Sequence, residues 1–210
     1  QATAQNLSPW DARLLLFGVI GLAMGAFQWT VSPLFITLKQ TLAQWLVEHD
    51  QLWALADNAP WWLLTHYPQL NDSFTWLDGF SIVAYLGLSS LLLGGALVLI
   101  LRMAARLAGD RTLYWPLALT LTPLGGAGLF LGLSATTVKL LRYEGLILDW
   151  VQPARAALLL AAMAWSLLLG WQRLNSARLA MQRQLAASAC LLLAVGMIGV
   201  GWWLQFWGWA

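Results

Sequence analysis

Residues 80–101 read FSIVAYLGLSSLLLGGALVLIL, a stretch with no charged side chain that ends against Arg102. About 20 apolar residues in a helix cross a hydrocarbon layer of ~30 Å. Inside that layer no water satisfies the backbone, so a helix that bonds to itself is the economical solution. Working outward, comparable runs fill residues 14–38, 114–136, 151–171 and 185–207. The chain has 210 residues, is 60% hydrophobic and only 10% charged, with mean hydropathy +0.67. A water-soluble domain of this size needs more charge to solvate its surface. The sequence therefore predicts an all-α, polytopic membrane helical bundle of about five transmembrane helices, as a single integral membrane domain.

Several features refine the spans. Gly21 and Gly25 form a small-xxx-small pair on the first span, and the run from Gly128 to Gly132 makes a second such face. Pro33 predicts a bend near the far end of the first span. Pro123, followed by Gly125, Gly126 and Gly128, predicts a broken or tightly packed third span.

Between the first two spans lies a different kind of sequence. Residues 38–79 carry both histidines, His49 and His66, and the acids Glu48, Asp50, Asp57, Asp72 and Asp78. They also carry Trp45, Trp53, Trp61, Trp62 and Trp76. From Leu38 to Leu55, apolar residues recur near helical spacing, which predicts an interfacial amphipathic helix stopped by Asn58-Ala59-Pro60. Trp61 and Trp62 suit the headgroup level.

Sidedness follows from the basic residues in short connections. Arg13, Arg102, Arg106, Arg111, Arg173, Arg178 and Arg183 fall on one side, with Asp11 and Asp110, for a net charge of +5. The other side carries Lys39, Lys139, Arg142 and Arg155 against seven acids, a net −3; together these make the formal +2. This predicts the N-terminus cytoplasmic and the C-terminus and residues 38–79 on the outer face, periplasmic if the membrane is the inner membrane of a Gram-negative bacterium. The chain opens on Gln1 with no secretory pattern before the first span, as expected of a processed or partial sequence.

The chemistry on offer is sparse. Cys190 is the lone cysteine, set in an apolar run, so a cysteine set for zinc or an iron–sulfur cluster is lacking. No histidine lies in a predicted span, which excludes haem held by helix histidines of this chain. No phosphate-binding loop, HExxH pair or serine elbow occurs. The positive signal is the acid–histidine set: His49, His66, Glu48, Asp50 and Asp57 offer imidazole and carboxylate, which suit iron(II), manganese or zinc. The plain alternative is that both histidines are interfacial residues, each hydrogen-bonded to backbone or a neighbour. Lys139 and Arg142 form a second candidate, for a lipid phosphate or an anionic partner, against simple snorkelling to the headgroups. Trp61 and Trp62 join them as candidate partner contacts.

The runs NAPWWLLTHYP at 58–68, FTWLDG at 74–79 and LTPLGGAGLFLGLSATT at 121–137 resemble the membrane region of bacterial polyferredoxin-type proteins, the NosR/NapH-like group found with periplasmic ferrous-iron uptake systems. The resemblance covers residues 31–173. Members carry cysteine sets for iron–sulfur clusters, and this sequence departs from them in having none. The resemblance implies a partner role, with iron at the outer face and any clusters held elsewhere. The expected function is an integral inner-membrane subunit of an iron-uptake or respiratory electron-transfer system. Its expected partners are lipids, a membrane permease or redox subunit and a periplasmic protein, with no nucleic acid. Two alternatives stay open: a membrane enzyme acting on a lipid-linked substrate, and an assembly or scaffold protein.

Overall fold

A computed structural model describes residues 8–27, 33–56, 75–145 and 148–207. Every regular element among them is helical. The helices are α1 (Pro9–Phe27), α2 (Pro33–Glu48), α3 (Trp53–Ala56), α4 (Trp76–Ser89), α5 (Gly95–Ala108), α6 (Tyr114–Leu119), α7 (Thr122–Tyr143), α8 (Val151–Ser176) and α9 (Met181–Trp207). A π-helical turn, Ser90–Gly94, joins α4 to α5. The chain forms two compact units, one of residues 1–28 with 93–210 and one of residues 29–92.

Four helical stretches are long and apolar enough to cross a membrane: Leu91–Ala108, Arg111–Ser134, Val151–Ser176 and Met181–Leu204. They correspond to the predicted spans two to five. Of the predicted first span, 14–38, the structure describes α1 up to Phe27 and α2 from Pro33, and residues 28–32 lie outside the described residues. Proline is at home in the first helical position, where its missing N–H is not needed.

In the first unit, α1 lies on α7, the most extensive helix contact there. The approach is backbone to backbone. A Cβ on Gly125 would sit 2.6 Å from Gly18 Cα, and one on Gly128 would sit 2.5 Å from Gly21 O. The pairing runs in parallel, Gly18 near Thr122 and Gly21 near Gly125. Of the expected small-residue faces, Gly21 and Gly128 lie in this contact, joined by Gly18 and Gly125. The other helices close the bundle, α9 on α5 and α8, and α8 on α7. Leu117, Leu124, Leu131, Leu159, Leu191 and Val195 fill its centre.

The packing is inverted in size relative to a soluble protein. The buried stripe of α8 is Val151, Arg155, Leu159, Ala162, Ser166, Gly170 and Leu174. Its exposed positions include Leu160, Trp165, Leu168 and Trp171. Between helices in lipid there is no hydrophobic drive, so small residues that admit close contact go inside.

The break expected near Pro123 falls two residues earlier, between α6 and α7. Pro123 has no N–H for the Leu119 carbonyl. The Thr122 hydroxyl donates to that carbonyl at 2.7 Å, and Thr120 Oγ1 donates to Leu117 O at 2.6 Å. The Thr122 hydroxyl thereby serves a carbonyl whose usual donor Pro123 lacks, while Leu117 O also accepts the Thr120 N–H at 3.1 Å.

The second unit is an antiparallel pairing of α2 and α4. Phe35 packs edge-on against Tyr85, ring centres 5.0 Å apart, and Lys39 forms an ion pair with Asp78. The short α3 sits against α4, with Trp53 edge-on to Trp76. The helix expected to run from Leu38 to Leu55 ends at Glu48. Asp50 adopts φ 56°, Gln51 N–H donates to Leu46 O at 2.9 Å and Asp50 N–H to Val47 O at 3.2 Å. This is the Schellman ending, with Asp where glycine is usual; a short polar side chain tolerates the left-handed region. The expected stop at Asn58-Ala59-Pro60 lies outside the described residues.

Candidate functional site

The acid–histidine set begins at the end of α2. Glu48 is its last residue, and His49 and Asp50 form the turn after it; all three are exposed. His49 Nδ1 lies 2.8 Å from Trp45 O, and the imidazole stacks on the Trp45 indole at 4.1 Å between centres. A carbonyl only accepts, so in the neutral imidazole this bond assigns the proton to Nδ1 and leaves the lone pair on Nε2. A backbone carbonyl on one nitrogen is also what orients many metal-bound histidines. The same carbonyl also accepts the His49 backbone N–H at 3.1 Å.

His66, Asp57, Trp61 and Trp62 lie outside the described residues. Whether His49 meets His66 or Asp57 is therefore a question for experiment. Among the described residues no group of three or more His, Cys, Asp or Glu comes together to hold a metal ion. Lys139 and Arg142 both fall in the last turns of α7.

Two acids have structural roles that the sequence reading passed over. Asp78 Oδ2 accepts from Thr75 N at 3.1 Å and Thr75 Oγ1 at 2.8 Å, while Asp78 N–H donates to Thr75 Oγ1 at 3.3 Å. Asp11 does the same with Ser8, at 3.1, 2.8 and 3.2 Å. These are capping boxes, with Thr or Ser at the cap and an acid three residues on. Burial pushes the Asp78 carboxyl up, but the bonds from Lys39 and Thr75 outweigh it and hold it below its ordinary value.

Arg155 is the residue that sequence reading misplaced in kind. It was counted as a basic residue of the outer connection. It lies within α8 at 6% exposure, and its Nη2 donates to Ser134 Oγ of α7 at 3.1 Å. A buried arginine between apolar helices is costly unless its donors are engaged. One turn before it, the side-chain oxygen of Gln152 is buried with no hydrogen-bond partner among the described residues.

At the other end of the same unit the arginines gather. Gly109 ends α5 with φ 79° and the Schellman pair Gly109 N–H to Arg106 O and Asp110 N–H to Ala105 O. The Arg183 guanidinium of α9 lies over it, so close that a Cβ there would be 2.7 Å from Nη1. The α5–α6 and α8–α9 connections therefore share one end. α1 starts there too, because it runs parallel to α7 and touches α6. Arg13, Arg102, Arg106, Arg111, Arg173, Arg178 and Arg183 are all exposed. The one ion pair among the described residues is Lys39 with Asp78, so none of the seven is neutralised by an acid there. Asp110 is occupied by the backbone and hydroxyl of Thr112, at 2.9 and 2.7 Å.

No protein-family model, curated protein or solved structure matches this chain.

Proposed function

We propose that this chain is a non-catalytic integral membrane subunit of a multi-protein assembly, and that α2 and the turn after it form its docking surface. One observation carries the reading. Leu38, Leu42 and Trp45 form a stripe on α2 and remain exposed, and the stripe ends in His49 stacked on Trp45. The same helix already packs against α4 through Phe35 and Lys39. Exposed tryptophan beside acids is a surface suited to a protein partner. In this reading the bundle crosses the bacterial inner membrane with its arginine end cytoplasmic and residues 38–79 periplasmic. Whether the interfacial α2 is preceded by a fifth crossing belongs to the same reading.

The finer proposal follows the resemblance to the polyferredoxin-type group. The assembly serves periplasmic iron uptake or respiratory electron transfer, with His49 Nε2, His66 and the acids Glu48, Asp50 and Asp57 meeting iron(II). The protonation of His49 at Nδ1 supports this, because it presents the other nitrogen as a ligand.

The test is purification of the tagged full chain from its native membrane in mild detergent, with mass spectrometry of co-purifying chains and elemental analysis. A membrane or periplasmic partner in fixed ratio is expected, with iron that falls when His49→Ala and His66→Ala are combined. A chain that emerges alone and free of metal sinks both parts. A partner without iron sinks only the second.

A further inference from the structure

The arginine end of the bundle has properties beyond fixing sidedness. Topology requires only that positive charge be present on one side. Here the charges are also left unspent. Asp11 and Asp110, the acids of that end, both turn to backbone and hydroxyl donors in caps rather than to guanidiniums. Arg106 and Arg111 flank Gly109 along the chain, both exposed, and the Arg183 guanidinium reaches that turn from α9. Gly109 takes the left-handed conformation there, and its lack of a Cβ lets the guanidinium approach.

The level of this cluster is marked by aromatic residues. Trp10 at the start of α1, Trp115 in α6 and Trp171 near the end of α8 are exposed at the same end of the unit. Exposed tryptophans sit at the boundary between acyl chain and headgroup. The Arg13 guanidinium lies 5.1 Å above the Trp10 ring and that of Arg102 lies 5.9 Å from the Tyr114 ring, so each is held at that boundary. Guanidiniums at headgroup level, unpaired with acids, match the fixed, planar, two-oxygen face of a phosphate diester.

We propose that the Arg106, Arg111 and Arg183 cluster is a binding site for the headgroup phosphate of anionic phospholipids in that leaflet. The tryptophan level favours lipid over an acidic soluble partner, which would meet the arginines from the water side and gain nothing from an aromatic belt. The site lies at the end of the bundle opposite Arg155 and stands independently of the docking surface on α2.

The experiment uses the full chain in detergent, titrated with short-chain phosphatidylglycerol or phosphatidylcholine, with binding read by native mass spectrometry and by thermal unfolding. Phosphatidylglycerol is expected to bind at least tenfold more tightly than phosphatidylcholine and to raise the unfolding temperature, with the preference collapsing in 0.5 M salt. Neutralising all three, Arg106→Gln with Arg111→Gln and Arg183→Gln, is expected to abolish that preference, the two lipids then binding alike. The triple Lys variant keeps the charge, and with it sidedness and folding, and should retain part of the preference but lose the two-pronged contact. Equal binding of the two lipids by the unaltered chain overturns the proposal, and this arm needs no variant. So does a preference that survives the Gln substitutions in a folded protein. Displacement of the lipid by an equimolar amount of inorganic phosphate or polyglutamate would assign the arginines to a soluble ligand instead, and would overturn it too.

Discussion

Gly21→Ala is the most stringent test of the fold. A Cβ on Gly21 lies inside van der Waals contact with the Gly125 carbonyl and 2.9 Å from Gly125 Cα. Both neighbours are backbone atoms of a packed helix, so no side chain can swing aside; α1 and α7 must separate. Inserting a methyl group into a full core costs typically 1–3 kcal/mol. With backbone as the obstacle the upper end applies, about 3 kcal/mol. The control is Gly196→Ala in α9, where nothing lies within 4 Å of the new methyl. Removing that glycine from a helix should gain about 0.5–1 kcal/mol. The two substitutions add the same atom group to the same unit and are expected to differ by about 4 kcal/mol, with opposite signs. Reversible unfolding in mixed micelles, followed by tryptophan fluorescence, measures the difference. If Gly21→Ala were as stable as Gly196→Ala, α1 would not lie on α7 and the glycine contact would be wrong.

Arg155→Ala removes a buried guanidinium and its bond to Ser134, and is expected to cost about 2–4 kcal/mol by the same assay; Arg155→Lys should recover only part, and no loss on either change would place Arg155 in water. Asp78 gives a pH test. Its carboxyl is held below the ordinary value, so the Lys39 ion pair steadies the α2–α4 pairing above pH ~4 and is lost as pH falls through the lower folded value. Hydrogen exchange in α2 should quicken over that window in the natural chain, and Asp78→Asn should exchange at the faster rate throughout. For sidedness, with Cys190→Ala as background, an impermeant maleimide added to intact cells should label Glu144→Cys and spare Ser176→Cys; the reverse pattern inverts the bundle.

The helical stretches long and apolar enough to cross a membrane, 91–108, 111–134, 151–176 and 181–204, overlap four of the predicted runs, the first of them only over 91–101 of the expected 80–101. Hydropathy is blind to the turn at Asp50, because Glu48, His49 and Asp50 carry no glycine or proline to announce a helix end. The π-helical turn at Ser90–Gly94 has the composition of ordinary apolar helix around it. At the candidate site, the sequence named the chemistry of His49 but not the Trp45 carbonyl that sets its tautomer, since that bond follows from the helix end itself.

Arg155 shows why charge counting and face reading must be combined. By position it is four residues into an apolar run and looks like a headgroup anchor. By register it belongs to the line Val151, Arg155, Leu159, Ala162, Ser166, Gly170, and the small members of that line are legible in the sequence. In lipid, the small residues mark the inward face, because close approach is what holds helices together there. A charge on the small-residue face is therefore committed to the bundle interior whatever its distance from the helix end. It must then find acceptors on the neighbouring helix, and Ser134 on α7 supplies one. The arginines at the other end obey the converse rule. Arg173 and Arg178 flank the end of α8, off the line that carries Gly170 and Leu174 inward, and they remain exposed. The same side chain thus serves packing at one end of the bundle and presents free charge at the other, and the face it occupies decides which.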